Sequence, residues 1–103
     1  MKFLALSSTL MLGLLSAHSV NAANLYAGHA TAAAVCSQCH GIKTPSADAP
    51  FPPLAGRDAD YLKSALKQYR DKTRKSDIMN AIAGSLSDSD ISNVATYYAR
   101  LKP

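Results

Sequence analysis

Three residues carry types and spacing suited to chemistry: Cys36, Cys39 and His40, in the run Cys36-Ser37-Gln38-Cys39-His40. These are the only two cysteines in the chain. A disulfide across two intervening residues closes a tiny loop and removes little entropy from the unfolded chain, so it is a poor staple. A thioredoxin-type redox pair wants a preceding strand within a βαβ pattern, and the sequence offers no convincing strand. A structural zinc site needs four ligands. Beyond residue 22 the chain holds two Cys and two His, and His29 precedes Cys36 without finger-like spacing. The fourth reading is covalent haem attachment, for which C-x-x-C-H is the signature. Both thiols add to haem vinyl groups as thioethers, and one helical turn sets them at adjacent edges of the ring. His40 then falls beneath the iron as the proximal ligand.

A sixth ligand is the next requirement. Once a leader carrying Met1 and Met11 is removed, Met79 is the one methionine left, within Ser76-Asp77-Ile78-Met79-Asn80. A lone Met in an apolar stretch is more often core filler than a ligand. A haem changes that balance, because His/Met ligation is a standard way to raise an iron potential for electron transfer. The competitor is His29, which a helix before the attachment site would leave facing solvent on the proximal side.

These residues must be positioned by a small helical domain. Met1-Lys2, an apolar stretch from Phe3 to Leu15 and the small-residue end Val20-Asn21-Ala22 have the pattern of a secretory signal peptide. The apolar stretch is shorter than the roughly 18 residues of a membrane-spanning helix. The expectation is cleavage after Ala22, leaving residues 23–103 as one exported domain in a bacterial periplasm. With 48% hydrophobic and 17% charged residues, the chain is neither a disordered tail nor a collagen-like fibre. It has no Trp, five Tyr and two Phe, a thin apolar inventory for a core. Small domains bury a smaller fraction of their surface, so something besides side chains has to complete that core. The formal charge of +4 is basic without the density of a nucleic-acid binder.

Leu25 to Val35 is Ala-rich and fits a helix that delivers Cys36. Gly28 within it would weaken a helix by about 1 kcal/mol relative to Ala; it marks either a close helix–helix approach or simple tolerance. Gly41 to Arg57, with Pro45, Pro50, Pro52 and Pro53, reads as an irregular loop. Asp58 can cap a helix in which Tyr61, Leu62, Ala65, Leu66 and Tyr69 recur at helical spacing. Asp71 to Asp77 is a polar, basic connection, and Ile78 to Ala83 is short and apolar. Ser87-Asp88-Ser89-Asp90 is a helix start, with Ser87 as cap and Asp90 in place of the usual Glu. The final helix has Ile91, Val94, Ala95, Tyr98 and Leu101 on one face. Tyr97-Tyr98 reads as packing surface plus one exposed ring.

The segment from Leu25 onward resembles the class I bacterial c-type cytochromes and is similar to the small cytochrome c5, c-553 and single cytochrome c4 domain group. The matching pieces are Cys36-Ser37-Gln38-Cys39-His40-Gly41, Phe51-Pro52-Pro53-Leu54-Ala55-Gly56, Arg74 to Met79, and Leu86-Ser87-Asp88-Ser89-Asp90-Ile91 with Tyr97-Tyr98. The resemblance implies an all-α, small cytochrome c fold of about four helices wrapped around one covalent haem c. It implies haem binding by Cys36, Cys39, His40 and Met79, with iron held by His40 and Met79. It also implies that the Pro52 carbonyl accepts from Nδ1 of His40 and that Leu54 packs on the haem. Arg57 departs from the pattern, standing where Gln is expected.

Such a site suits a one-electron carrier, or the non-catalytic haem subunit of a periplasmic dehydrogenase such as a flavocytochrome c sulfide dehydrogenase. A haem enzyme or gas sensor needs a vacant distal position, which Met79 closes. The expected partners are redox proteins with an acidic docking face, a flavoprotein or quinoprotein dehydrogenase among them, with no nucleic acid and no membrane-spanning segment in the mature chain. The docking reading rests on Lys63, Lys67, Arg70, Lys72, Arg74 and Lys75, a run opposed by Asp71 alone that leads into Met79. Such clustered charge steers encounter and is screened by salt.

Overall fold

A helix starts where an orphan N–H finds a side-chain acceptor, and four local caps set the frame of this molecule. The computed structural model describes residues 23–44 and 51–102; the expected leader, Pro45 and Pro50 lie outside them. Asn24 opens α1 (Leu25–Thr31), its Oδ1 accepting from the Ala27 N–H at 3.0 Å. The helical path then widens into a π turn at Ala32–Cys36 and closes as α2 (Ser37–His40). The expected helix into Cys36 is present, with one difference: the Ser37 N–H reaches back five residues to the Ala32 carbonyl. Single π turns of this kind recur at functional sites, because the extra residue turns the following side chains to a new face. Gly41 ends α2 at φ 70°, ψ −176°, a backbone region essentially confined to glycine.

Asp58 caps α3 (Ala59–Asp71) by accepting from the Tyr61 N–H at 2.9 Å. The chain leaves α3 through Lys72 in the left-handed region, φ 70°. Ser76 caps α4 (Asp77–Gly84), the helical form of the short apolar stretch. The capping box before α5 (Asp88–Arg100) is complete in both directions: the Asp90 N–H donates to Ser87 Oγ, and the Ser87 N–H to Asp90 Oδ2, each at 3.0 Å. Counting the α1–α2 path as one body, four helical bodies build an all-α fold with no strand among the described residues.

Helix α1 packs on α5, and α3 packs on both α4 and α5. Gly28 shows why the first crossing is possible. A Cβ there would lie 2.3 Å from the Asn93 carbonyl oxygen and 2.9 Å from the Tyr97 Cβ. The close-approach reading of this glycine is the correct one. Ala32, Leu62, Val94, Ala95 and Tyr98 form the buried core. The expected stripe of α5 is buried at Ile91, Val94, Ala95 and Tyr98, whereas Leu101 is half-buried because the helix ends at Arg100. In α3, Leu62 and Ala65 face the core while Tyr61 is exposed. Tyr98 ties the ends of the loop to α5: its hydroxyl donates to the Gly41 carbonyl at 2.7 Å, and its carbonyl accepts from the Gly56 N–H at 2.9 Å. Neither ring of the tyrosine pair is exposed, contrary to expectation; Tyr98 is buried and Tyr97 half-buried between His29 and Tyr98. Among the described residues no helix is long and apolar enough to cross a membrane.

Candidate haem site

The helices do not close on one another everywhere. Between α2, α3, α4 and α5 lies a cavity of about 310 Å³, within the range of small-molecule and cofactor sites. Cys36, Cys39, His40 and Met79 all line it, together with Pro52 and Leu54. His29 does not; it sits on the exposed side of α1, its ring 5.3 Å edge-on to Tyr97. The competing distal histidine is thereby removed from the cavity.

His40 is buried at the end of α2. Its Nδ1 lies 2.8 Å from the Pro52 carbonyl oxygen. A carbonyl only accepts, so Nδ1 carries the proton and donates, leaving the Nε2 lone pair for a metal. That bond fixes ring orientation and raises ligand basicity. Phe51 holds the other side of the ring edge-on at 5.9 Å. The Cys36 thiol is pushed up to about 11 by burial. The described residues also contain no group of three or more His, Cys, Asp or Glu placed to hold a metal together. Among the described residues there is also no strand of the kind that a thioredoxin-type pair requires.

Met79 lies in the first turn of α4, its N–H donating to Ser76 Oγ at 3.2 Å. The remaining wall is mostly apolar, with Leu62, Ala65, Leu66, Ile82, Leu86 and Val94 among its residues. Two thiols, an imidazole with a free Nε2 and a thioether thus meet in one apolar cavity. This donor set fits haem c.

Comparison with known proteins agrees. Residues 23–97 match the family described as cytochrome c oxidase, cbb3-type, subunit III. Cytochrome c-554(548) of Halomonas halodenitrificans is 40% identical over 67 residues, which cover 62% of this chain and 81% of that protein. The chain belongs to the class I c-type cytochromes. Cytochrome c4 of Pseudomonas aeruginosa is 38% identical over 103 residues, covering 99% of this cytochrome and 50% of the relative. The thiosulfate dehydrogenase electron acceptor of Stutzerimonas stutzeri is 42% identical over 69 residues, 64% of this chain and 32% of that one. This cytochrome therefore spans about half or a third of the length of several curated relatives it matches. Membership of the family implies haem c as the prosthetic group.

The basic run divides once folded. Arg70 donates to the Asp88 carboxylate at 2.6 Å and to the Leu86 carbonyl at 3.2 Å, so it braces α3 against the start of α5. Its partner stands 18 residues away, and the reading of an unopposed run is corrected accordingly. Lys63 lies 3.9 Å from Asp60 on its own helix. Lys67, Lys72 and Lys75 are exposed. Arg74 lines the cavity, its guanidinium 5.5 Å from the Tyr69 ring centre and 6.0 Å from that of Tyr61. Arg57, the departure from the family pattern, lines the cavity too and lies 5.6 Å over Tyr61. Two cations sharing one exposed tyrosine were not foreseeable from sequence, because residues 57 and 74 meet only through the fold. The role of Tyr98 in tying Gly41 and Gly56 to α5 was also missed. Its signal was its place on the apolar stripe of α5.

Proposed function

We propose that this cytochrome is a periplasmic one-electron carrier. In this reading residues 1–22 are a leader removed after Ala22, and residues 23–103 hold one haem. Cys36 and Cys39 would hold it through two thioethers, and His40 and Met79 would supply the protein ligands to its iron. When bound, the haem supplies a reversible one-electron couple at its iron. The chain's own residues do the rest. Pro52 orients His40 through the Nδ1 bond, Leu54 and the α3 and α5 walls exclude water, and Ser76 sets the turn that bears Met79. The observation that carries the proposal is the convergence of Cys36, Cys39, His40 and Met79 on a single cavity. With both His40 and Met79 as ligands the iron would have no open position for a substrate, which favours a carrier over a haem enzyme or gas sensor.

A relative whose name is thiosulfate dehydrogenase electron acceptor supports a second reading, service to a dehydrogenase as a partner or subunit. Under either reading the exposed Lys67, Lys72 and Lys75 suit an acidic redox partner.

The test is chemical. After acid–acetone extraction of the purified protein, haem should stay on the polypeptide; haem released to the solvent overturns covalent attachment. Met79→Ala should lose the weak far-red charge-transfer band of a thioether–iron bond, bind carbon monoxide in the ferrous state and fall in potential. An unchanged spectrum and unchanged ligand binding would show that another group holds the iron.

A further inference from the structure

One amide ties together three backbone positions beside the cavity. Nδ2 of Asn80 donates to the Tyr69 carbonyl at 2.7 Å and to the Arg74 carbonyl at 2.9 Å. Its Oδ1 accepts from the Ser76 N–H at 3.1 Å. Both N–H groups and the oxygen are thereby used, so the side chain has one compatible orientation. The backbone repeats the link, with the Asn80 N–H donating to the Ser76 carbonyl at 2.7 Å.

What this amide joins is informative. Tyr69, Arg74, Ser76 and Met79 all line the cavity, whereas Asn80 lies behind that wall. The turn between α3 and α4 has its own local bonds: Asp71 Oδ1 accepts from the Thr73 N–H at 2.9 Å, and the Gln68 carbonyl from the Arg74 N–H at 3.2 Å. Those bonds shape the turn without fixing α4 against α3. Asn80 makes that connection, across 11 residues to Tyr69 and 6 to Arg74.

We infer that Asn80 is the positioning residue that holds Met79 toward the cavity, by clamping the start of α4 to the end of α3. This rests on Met79 being the distal ligand. The Asn80 side chain does not line the cavity; it acts by denying the α3–α4 turn the freedom to swing Met79 away. Loss of the clamp would make the methionine easier to displace while the helices stay folded.

Imidazole binding to the ferric holoprotein reads this directly, because imidazole must displace the distal ligand. Asn80→Asp keeps the shape, removes both donors and sets a carboxylate against two carbonyls. It should raise imidazole affinity about tenfold, the loss of roughly one net hydrogen bond. Hydrogen exchange at residues 72–76 should also quicken. Asn80→Ala is the second variant, to be read the same way if the aspartate variant does not accumulate. Ser87→Ala is the control for general weakening: it removes a cap of comparable worth at a residue that does not line the cavity and should leave imidazole affinity unchanged. Met79→Ala is run alongside. If it loses the thioether band while both Asn80 variants bind imidazole as the parent does, the positioning role is wrong and the ligand reading stands. An equal rise with Ser87→Ala would equally overturn a specific role for Asn80. If Met79→Ala keeps the band, both readings fail together.

Discussion

The two sides of the molecule solve the packing problem in opposite ways. Where α1 crosses α5, the backbones approach so closely that Gly28 has no room for a Cβ beside Asn93. Where α3 and α4 face the loop and α2, the side chains leave a cavity of about 310 Å³. The first region is finished by protein alone. The second is walled by Leu, Ile and Ala around His40 and two thiols, a lining that fits the haem c the family implies. The difference teaches how a chain without tryptophan builds a core: it spends close helix contact on one side and leaves the other for its cofactor. Tyr98 belongs to both regions, buried on α5 yet facing the cavity.

The sharpest way to break the comparison is to fill the crossing. In an ordinary helix interior, Gly→Ala gains about 1 kcal/mol from propensity. At Gly28 the new methyl meets backbone, which must move, and overpacking of that kind costs typically about 1–3 kcal/mol. Gly28→Ala should therefore destabilise the holoprotein by about 2 kcal/mol in guanidinium unfolding, with the Met79 spectrum intact in the folded fraction. A stabilised variant would show that the crossing is looser than the structure has it.

The next effect belongs to the shared tyrosine. Tyr98→Phe removes the donor to the Gly41 carbonyl, and losing that part-buried hydrogen bond costs about 1 kcal/mol. The pH dependence follows as well. Burial raises the Tyr98 hydroxyl well above its ordinary value near 10. A folded value above the unfolded one means that this contribution is complete below about pH 10 and fades as pH rises toward the folded value. Unfolding midpoints measured from pH 7 to 11 should bend downward above about pH 10, and Tyr98→Phe should remove its share of that bend. Parallel curves for the two proteins would mean that the hydroxyl is not held as described.

Much of this architecture was legible because its causes are local. Asp58, and Ser87 with Asp90, announce their helices within three residues, and the apolar stripe of α5 follows from 3.6-residue periodicity. The donor to Pro52 was legible only through the family likeness, since nothing in the spacing of residues 40 and 52 demands a hydrogen bond. What escaped is what depends on partners distant in sequence. A run of alanines contains no signal for a π turn. Arg70 looked like a free cation until Asp88 came to it. Asn80 carries no signal in the sequence, because the carbonyls that it holds belong to the neighbouring turn and helix.

The smallest effect sharpens the comparison from the other side. Gly84 is also helical, the last residue of α4, and a Cβ built there meets nothing within 4 Å. No left-handed backbone angle is required of it, unlike Gly41 and Gly56. Alanine there loses less conformational freedom on folding and clashes with nothing, so Gly84→Ala should stabilise the protein by about 0.5 kcal/mol. The gain stays below the full helix-interior value because the position is at the helix end. The same substitution at Gly28 carries the opposite sign, although both glycines are helical and propensity alone would rank them together. Measured side by side in one denaturant series, the pair isolates close approach from propensity. A gain at both positions would erase the contrast between the two regions, and a loss at both would place a hidden constraint on the end of α4.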